Sequence, residues 1–487
     1  MATSFHHPSR DAARDAASPP AGGASNRAML VVLLVSNLLA SLNQSMMNVA
    51  LDAVATSFHV DLALANWVVL TFSIVAGSTI IAAASVLRRL GLHRVMTVGY
   101  ALSVAGGVLG LLSWDLPSML AARAMQAITA GLFFPIVSTA ILAIAPKGRS
   151  ATLLSLNSAV IGAGLAFVPL ISGLFITYVN LRAVFLAPTV LAVVLLIVGP
   201  RVIHDIEPRA TCRIDAPSVL LGFAGLTAFI YGVNEVGKAP LPSLALMAAG
   251  AGALAAFAVR QHRLEDPLLD LTPLRHGAFT LGEAIAMLGF MGSLYLSLLV
   301  PLYLEGTIGC TPFVAGCYLA GPILAYVVAT YLGGRIEDAH GIWPLVPVGL
   351  ALVIAGFLGM ETASARQMTV PVLVCAAVVY GGVGLLYAPS KSRDLDAVPP
   401  TLTSSASSIH STLSQITSSF ASALFVGVMA ADAGQLLAHG ATKADAYAAG
   451  FAHTLLIELG VAVVAGIASV AFARAMHRRW VAKKAAK

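Results

Sequence analysis

Charge is scarce in this chain of 487 residues: Lys, Arg, Asp and Glu together supply 10% of it, against about 25% in an ordinary soluble domain. A soluble protein of that size has to cover its surface with ions, and these are too few. The scarcity excludes a soluble enzyme, a disordered chain and a nucleic-acid binder, and the net charge of +6 falls almost wholly outside the apolar runs. Cysteine is equally sparse. Cys212, Cys310, Cys317 and Cys375 form no C-x-x-C and no histidine pairing, so neither a disulfide framework nor a zinc site is supported. Also missing are the alternating hydrophobicity of a membrane β-barrel, a nucleotide-binding P-loop and any nucleophile–base pair or metal-ligand spacing. No cofactor and no enzymatic activity are expected, which leaves an ion gradient as the energy source.

What is present is apolar: 58% of the residues are hydrophobic. A helix needs about 20 mostly apolar residues to cross the hydrocarbon core. That ruler finds stretches near 28–51, 66–87, 95–113, 117–145, 151–179, 183–200, 216–235, 241–259, 279–304, 313–333, 343–361, 367–389, 404–430 and 451–474. An all-α polytopic membrane protein with 14 transmembrane helices is expected. The tail 1–27, rich in Ala, Ser, Pro and Gly, reads as disordered. It is no signal peptide, because the apolar run after it is too long and ends in no cleavage site.

With the N-terminus inside, 23 of the 28 Lys and Arg residues fall on the cytoplasmic side, among them Lys391 in the loop after the twelfth span. Four fall outside and Arg123 lies within a span. The positive-inside rule demands such a bias. The expected setting is the bacterial inner membrane, with both termini cytoplasmic.

Two loops match at an offset of 250 residues. Ala84 to Gly91 with Gly99 following corresponds to Gly334 to Gly341 with Gly349 following. Eight spans lie between them, so both loops have the same orientation. Two six-helix halves, 28–200 and 277–475, would flank a linker, 201–276, that holds two inserted spans; a basic tail, 476–487, follows. Parallel halves of this kind place a binding site near the midplane between them, and their rocking gives alternating access.

The chain resembles the major facilitator superfamily, and within it the fourteen-span drug:proton antiporter branch. Ser41-Leu-Asn-Gln-Ser-Met-Met-Asn-Val-Ala-Leu51 is similar to the branch's first-helix motif, Ala122-Arg123-Ala-Met-Gln126 with Pro135 to its fourth-helix motif, and Gly334–Gly341 to its loop motif. Asn43 stands where the motif has an acid, Arg88 where the first loop motif has an Asp, and the fifth-helix antiporter motif survives only as Gly164, Pro169 and Gly173. The resemblance implies a secondary transporter, working as a monomer in the bilayer on a small amphipathic organic substrate, which it exports in exchange for protons. An uncoupled facilitator or proton symporter for one metabolite is the alternative, as is a non-transporting sensor on the same scaffold.

Candidate pathway residues follow from polarity inside apolar runs. An intramembrane arginine costs several kcal/mol unless paired or hydrated. Arg123, with Gln126 on the same helix face, is either a cavity-facing charge or a structural group bonded to backbone carbonyls. Asn43 and Met47 share one face of the first span, Gln44 and Asn48 another, and Asn157 lies in the fifth. Glu283, one turn into the ninth span, is the favoured proton carrier, ahead of Glu458 and Glu235. His410 and Gln415 lie in an unusually polar thirteenth span; His410 is a second candidate proton site, with no acidic partner nearby in the sequence. Candidate gating positions are Arg88, Gly91, Gly164, Pro169, Gly173, Gly334, Asp338 and Gly341. Arg88 and Asp338, in matched loops, are expected to form a latch between the halves in one conformation.

Overall fold

The computed structural model describes residues 23–47, 50–60, 62–146, 148–206, 215–235, 239–264, 266–396 and 398–485. Most of the expected disordered tail lies outside them. Among the described residues there is no strand. Fourteen long helices follow one another: α1 Gly23–Ser45, α2 Trp67–Leu90, α3 Leu92–Leu111, α4 Leu116–Ile144, α5 Ser150–Tyr178, α6 Leu186–Val202 and α7 Ala216–Glu235. The rest are α8 Pro240–Arg263, α9 Gly277–Thr307, α10 Pro312–His340, α11 Leu345–Ala365, α12 Thr369–Asp396, α13 Thr403–Ala438 and α14 Lys443–Ala485. Apart from α5, each supplies a stretch long and apolar enough to span a membrane, α6 together with the 3-10 turn Leu181–Phe185 before it. In α5, which runs unbroken through Pro169, Ser150–Gly164 is the apolar part described. An even number of spans leaves both ends of the chain on one face, hereafter the terminal face.

Local chemistry sets the helix ends. Asp115 accepts from the Ser118 backbone N–H at 2.9 Å while Ser118 reciprocates, a capping box that starts α4 with Pro117 in its first turn,. Thr311 caps α10 just before Pro312. Gly91 and Gly341 end α2 and α10 with nearly the same backbone, φ +79° and +80°, a region L side chains rarely enter,. The next paired glycines behave alike. Gly99 lies against Phe133 of α4 and Gly349 against Leu386 of α12, so the third and fourth helices of each half pack closely at the same place. The sequence repeat is therefore a structural one.

Several spans depart from the expected bounds; the tenth runs on to His340, and the fourteenth is Lys443–Ala485, which takes most of the expected basic tail into the helix. The first helix stops at Ser45 rather than near 51. The chain then turns, and a short helix, Leu51–Phe58, follows, terminated by His59 in the left-handed region. The thirteenth span extends to Ala438, and the twelfth continues to Asp396 and takes Lys391 into the helix. In the thirteenth, mostly small and apolar residues continue the helix past the apolar window; in the twelfth the added turns are mostly polar and charged, Ser390 to Asp396.

Buried apolar residues form two main cores, one centred on α1 to α4 with α6, the other on α9 to α14. Across them, α5 packs along α10 through small residues: Gly334 meets Ser155 and the Ala151 carbonyl, and Gly173 meets Phe313. The pair α7 and α8 packs on itself and, through α7, on α2 and α13. Many large apolar side chains, such as Val194, Leu220, Leu244 and Ile467, are exposed on the outside of the bundle, as lipid-facing positions require,.

The inserted pair is tied by one ionic contact. Asp215, just before α7, takes Arg260 of α8 at 2.7 and 3.0 Å and accepts from Ser218. These bonds, Arg260's first, hold its carboxyl well below the usual carboxylate range. A depressed folded-state pKa stabilises fully above the unfolded value, about 4, and the contribution is lost as pH falls below it. Asp215→Asn is expected to lower the melting temperature of the purified protein by about 2 °C at neutral pH. The difference from wild type should shrink in melts run toward pH 3.

Candidate functional site

Arg123 of α4 is fully buried. Its guanidinium donates to the Asn43 carbonyl at 2.6 Å, to the Val68 carbonyl at 3.3 Å and to the Gln126 side-chain oxygen at 3.2 Å. It also stacks 4.4 Å over the Phe72 ring. Asn43 lies in the last turn of α1, whose carbonyls lack intrahelical partners. Of the two readings of this arginine, the geometry matches the backbone-bonded one. The positive charge ties the end of α1 to α2 and α4, with the carbonyl dipoles and the aromatic face offsetting its desolvation. Asn43 itself donates to Ser103 at 3.2 Å. Met47 is buried in a separate apolar cluster with Val168 and Phe185. Asn48 lies outside the described residues.

A second polar group, deeper in the same half, joins three helices. Asn37 donates to the Asn157 side-chain oxygen at 2.8 Å, and Asn157 donates to Ser138 at 3.5 Å. Asn37 was absent from the sequence candidates, although it lies two turns before Asn43 in the same apolar run.

The halves touch through polar side chains of α13. Gln44 of α1 donates to Gln415 at 3.2 Å, and Ser407 donates at 2.9 Å to the carbonyl of Pro135 in α4. At the terminal face the contact is ionic. Asp338, at the end of α10, accepts from the backbone N–H groups of Ala151 and Thr152 at 3.3 and 2.9 Å and from the Thr152 hydroxyl at 2.5 Å. A carboxylate on the free N–H groups of a helix start is favoured by the helix dipole. The Arg88–Asp338 latch, expected in one conformation, is not formed in this one. Arg88 instead donates to Ser85 and to the Pro267 carbonyl at 3.2 Å, which fastens the linker ahead of α9. Each loop has a nearer partner: a helix N-terminus for the acid, and chain carbonyls for the base. Gly334 lies beside the Asp338 contact, and Gly164 sits against Ser41, joining α5 to α1.

In the C-terminal half the two candidate proton sites form one site. His410 Nδ1 lies 3.0 Å from both carboxylate oxygens of Glu283, and His410 Nε2 lies 3.2 Å from the Tyr387 hydroxyl. Glu283 and His410 are 1% and 2% exposed. Tyr387 stacks on Phe290 with ring centres 5.4 Å apart. The acidic partner missing from the sequence neighbourhood of His410 is thus Glu283, 127 residues away. Lys391, one turn beyond Tyr387 on α12, was expected in a solvated loop. It is buried instead, and its charge acts on both Glu283 and His410. Tyr387 and Lys391 went unrecognised because their four-residue spacing reads as a helix end; nothing local marks the acid they face. Glu458 of α14 lies elsewhere in this half, deeply buried between α9 and α12, and its Oε2 has no hydrogen-bond partner among the described residues.

The Major Facilitator Superfamily model matches residues 33–422. The chain belongs to that family. It is 24% identical over 416 residues to the lincomycin resistance protein LmrB of Listeria monocytogenes, covering 84% of this chain and 88% of that one. It is also 24% identical to the riboflavin transporter RibZ of Clostridioides difficile, covering 76% of this chain and 81% of that one. Among solved structures, the human organic anion transporter MFSD10 superposes with a TM-score of 0.60 at 16% identity, covering 91% of this chain and 100% of that one. A fourteen-helix major facilitator fold places the Glu283–His410 pair and the Gln44–Gln415 contact in a membrane transporter.

Loss of the Asp338 carboxylate should loosen the terminal face. In a variant whose four native cysteines are replaced by serine, Ser155→Cys beside Gly334 reports on that contact. Labelling by a water-soluble maleimide is expected to speed up severalfold when Asp338→Ala is added. Equal rates would show that other contacts hold that end closed.

Proposed function

We propose that this member of the superfamily is a proton-coupled exporter of a small amphipathic organic compound, working as a monomer by alternating access. Its membrane is the bacterial inner membrane and its terminal face is cytoplasmic, which the strong Lys and Arg bias toward that face supports. The observation that carries the coupling is the Glu283–His410 pair, two titratable groups 3.0 Å apart and sealed from solvent, with Lys391 close by.

With His410 neutral, the charges of Glu283 and Lys391 cancel. An added proton leaves the buried cluster with a net positive charge, which is costly in a low dielectric unless water reaches it. Protonation thereby favours a conformation in which this end of the half is hydrated, and the halves rock to supply it. Each proton that crosses a potential of about 100 mV brings about 2.3 kcal/mol. The resistance protein among the relatives favours export. A second reading, an uncoupled facilitator or symporter for one metabolite, is favoured by Asn43, which cannot titrate and is hydrogen-bonded to Ser103. The riboflavin transporter among the relatives is in keeping with it.

Ethidium uptake into proteoliposomes under an imposed pH gradient tests coupling directly. Wild type is expected to concentrate ethidium only while the gradient lasts, and Glu283→Gln to abolish that accumulation. Glu283→Asp should retain it with a displaced pH dependence. Undiminished gradient-driven accumulation by Glu283→Gln would sink the proposal.

A further inference from the structure

Glu458 has no role in the scheme above, yet its surroundings are unusual. It is 1% exposed, and its Oε2 finds no donor among the described residues. An isolated ionised carboxylate costs far more in such a place than the protonated acid. The side chain lines a cavity of about 30 Å³ between α9, α11, α12 and α14. That volume holds about two water molecules and is far smaller than the several hundred Å³ a drug-sized ligand fills. The carboxyl therefore faces room for water and protons, not for substrate.

The cavity has a second polar end. Ser390 and Tyr387 of α12 line it as well, and the Tyr387 hydroxyl is the group bonded to His410 Nε2. From α9 come Ile285, Leu288, Gly289 and Gly292, none of them titratable, and from α14 Ser469 as well as Glu458. The α11 side contributes Leu350 and Val353; Glu283, His410 and Lys391 are not part of the cavity wall, and the pair is reached through Tyr387. Gly292 leaves Glu458 its place, since a Cβ there would come within 3.2 Å of Oε1. At Gly289 a Cβ would meet open space.

We propose that Glu458 is a second proton-carrying carboxylate, linked through water in this cavity to Tyr387 and thence to the His410–Glu283 pair. The inference rests on the proton-coupled reading of that pair. An ionised Glu283 only accepts, so His410 Nδ1 donates to it and Nε2 accepts from the Tyr387 hydroxyl. A proton leaving Glu458 passes to a cavity water, which protonates the Tyr387 oxygen as Tyr387 releases its own proton to Nε2. His410 then gives its Nδ1 proton to Glu283. Each bond broken to hydrogen is matched by one formed, and the net result is one proton moved from Glu458 to Glu283. Along α9 the distance from Gly292 to Glu283 is about 13 Å, which carries the proton from mid-span toward the terminal face.

Infrared difference spectroscopy of the reconstituted protein after a pH jump, with no substrate added, reads carboxyl protonation directly. Two titrating carboxyl components are expected in wild type, one lost in Glu458→Gln and the other in Glu283→Gln. Tyr387→Phe and the cavity-filling Gly289→Val should keep both components and slow proton arrival at Glu283 about a hundredfold. A Glu458 component that never changes between about pH 5 and pH 9 overturns this inference and leaves the pair's role intact. Two components that respond at unchanged rates in both relay variants overturn the link. Silence of the Glu283 component as well would bring down the coupling scheme itself.

Discussion

A charge inside a lipid bilayer has to be neutralised, hydrated or bonded by its own protein, and the arrangement of this molecule follows from how each one is handled. Arg123 is bonded to backbone. Its guanidinium takes carbonyls from the end of α1 and from α2, so the cost of its burial is turned into a joint among three helices. Asp338 is handled the same way with opposite sign, by the free N–H groups at the start of α5. Glu283, His410 and Lys391 are handled by one another. Only the last arrangement can change its proton count while staying assembled, which is why the chemistry is sought there.

This division gives the two halves different characters. Apart from Arg123, the N-terminal half holds its buried polar groups in neutral networks, Asn37–Asn157–Ser138 and Asn43–Ser103, that fix helix positions. The C-terminal half carries the titratable set. Contacts between them are few in kind: an amide pair, a serine on a carbonyl, the Asp338 carboxylate on the start of α5, and small residues along α5 and α10. Glycine contacts of that sort lose little when surfaces slide, and polar pairs can be replaced by water once a face opens. Under the proposed coupling, the N-terminal half is the bonded frame and the C-terminal half the one that takes up protons.

The paired glycines show how deeply the sequence repeat reaches. Gly91 and Gly341 share a backbone conformation forbidden to most residues, and Gly99 and Gly349 each admit a neighbouring helix at the same level. The symmetry fails where the side chains have diverged. Arg88 and Asp338, equivalent in the repeat, take unrelated partners, a linker carbonyl and a helix start. Backbone geometry is set by glycine at either position, whereas a charged side chain bonds whatever partner its own half brings near.

From the sequence alone came the features governed by composition and local periodicity. Apolar runs of spanning length gave fourteen helices, an even count gave termini on one face, and glycine spacing gave the repeat, because each depends on residues close in the chain. The same logic picked out Arg123, Glu283 and His410 one at a time, as polar groups where lipid tolerates few. Their partners were beyond it. That His410 faces Glu283 across 127 residues, that Lys391 is inside rather than in a loop, and that Arg123 bonds backbone are all decided by which helices lie side by side. Lipid makes the outer faces of many helices interchangeable, so hydrophobicity says that a helix spans but not which neighbour it meets; packing decides that, and with it which charges share a proton.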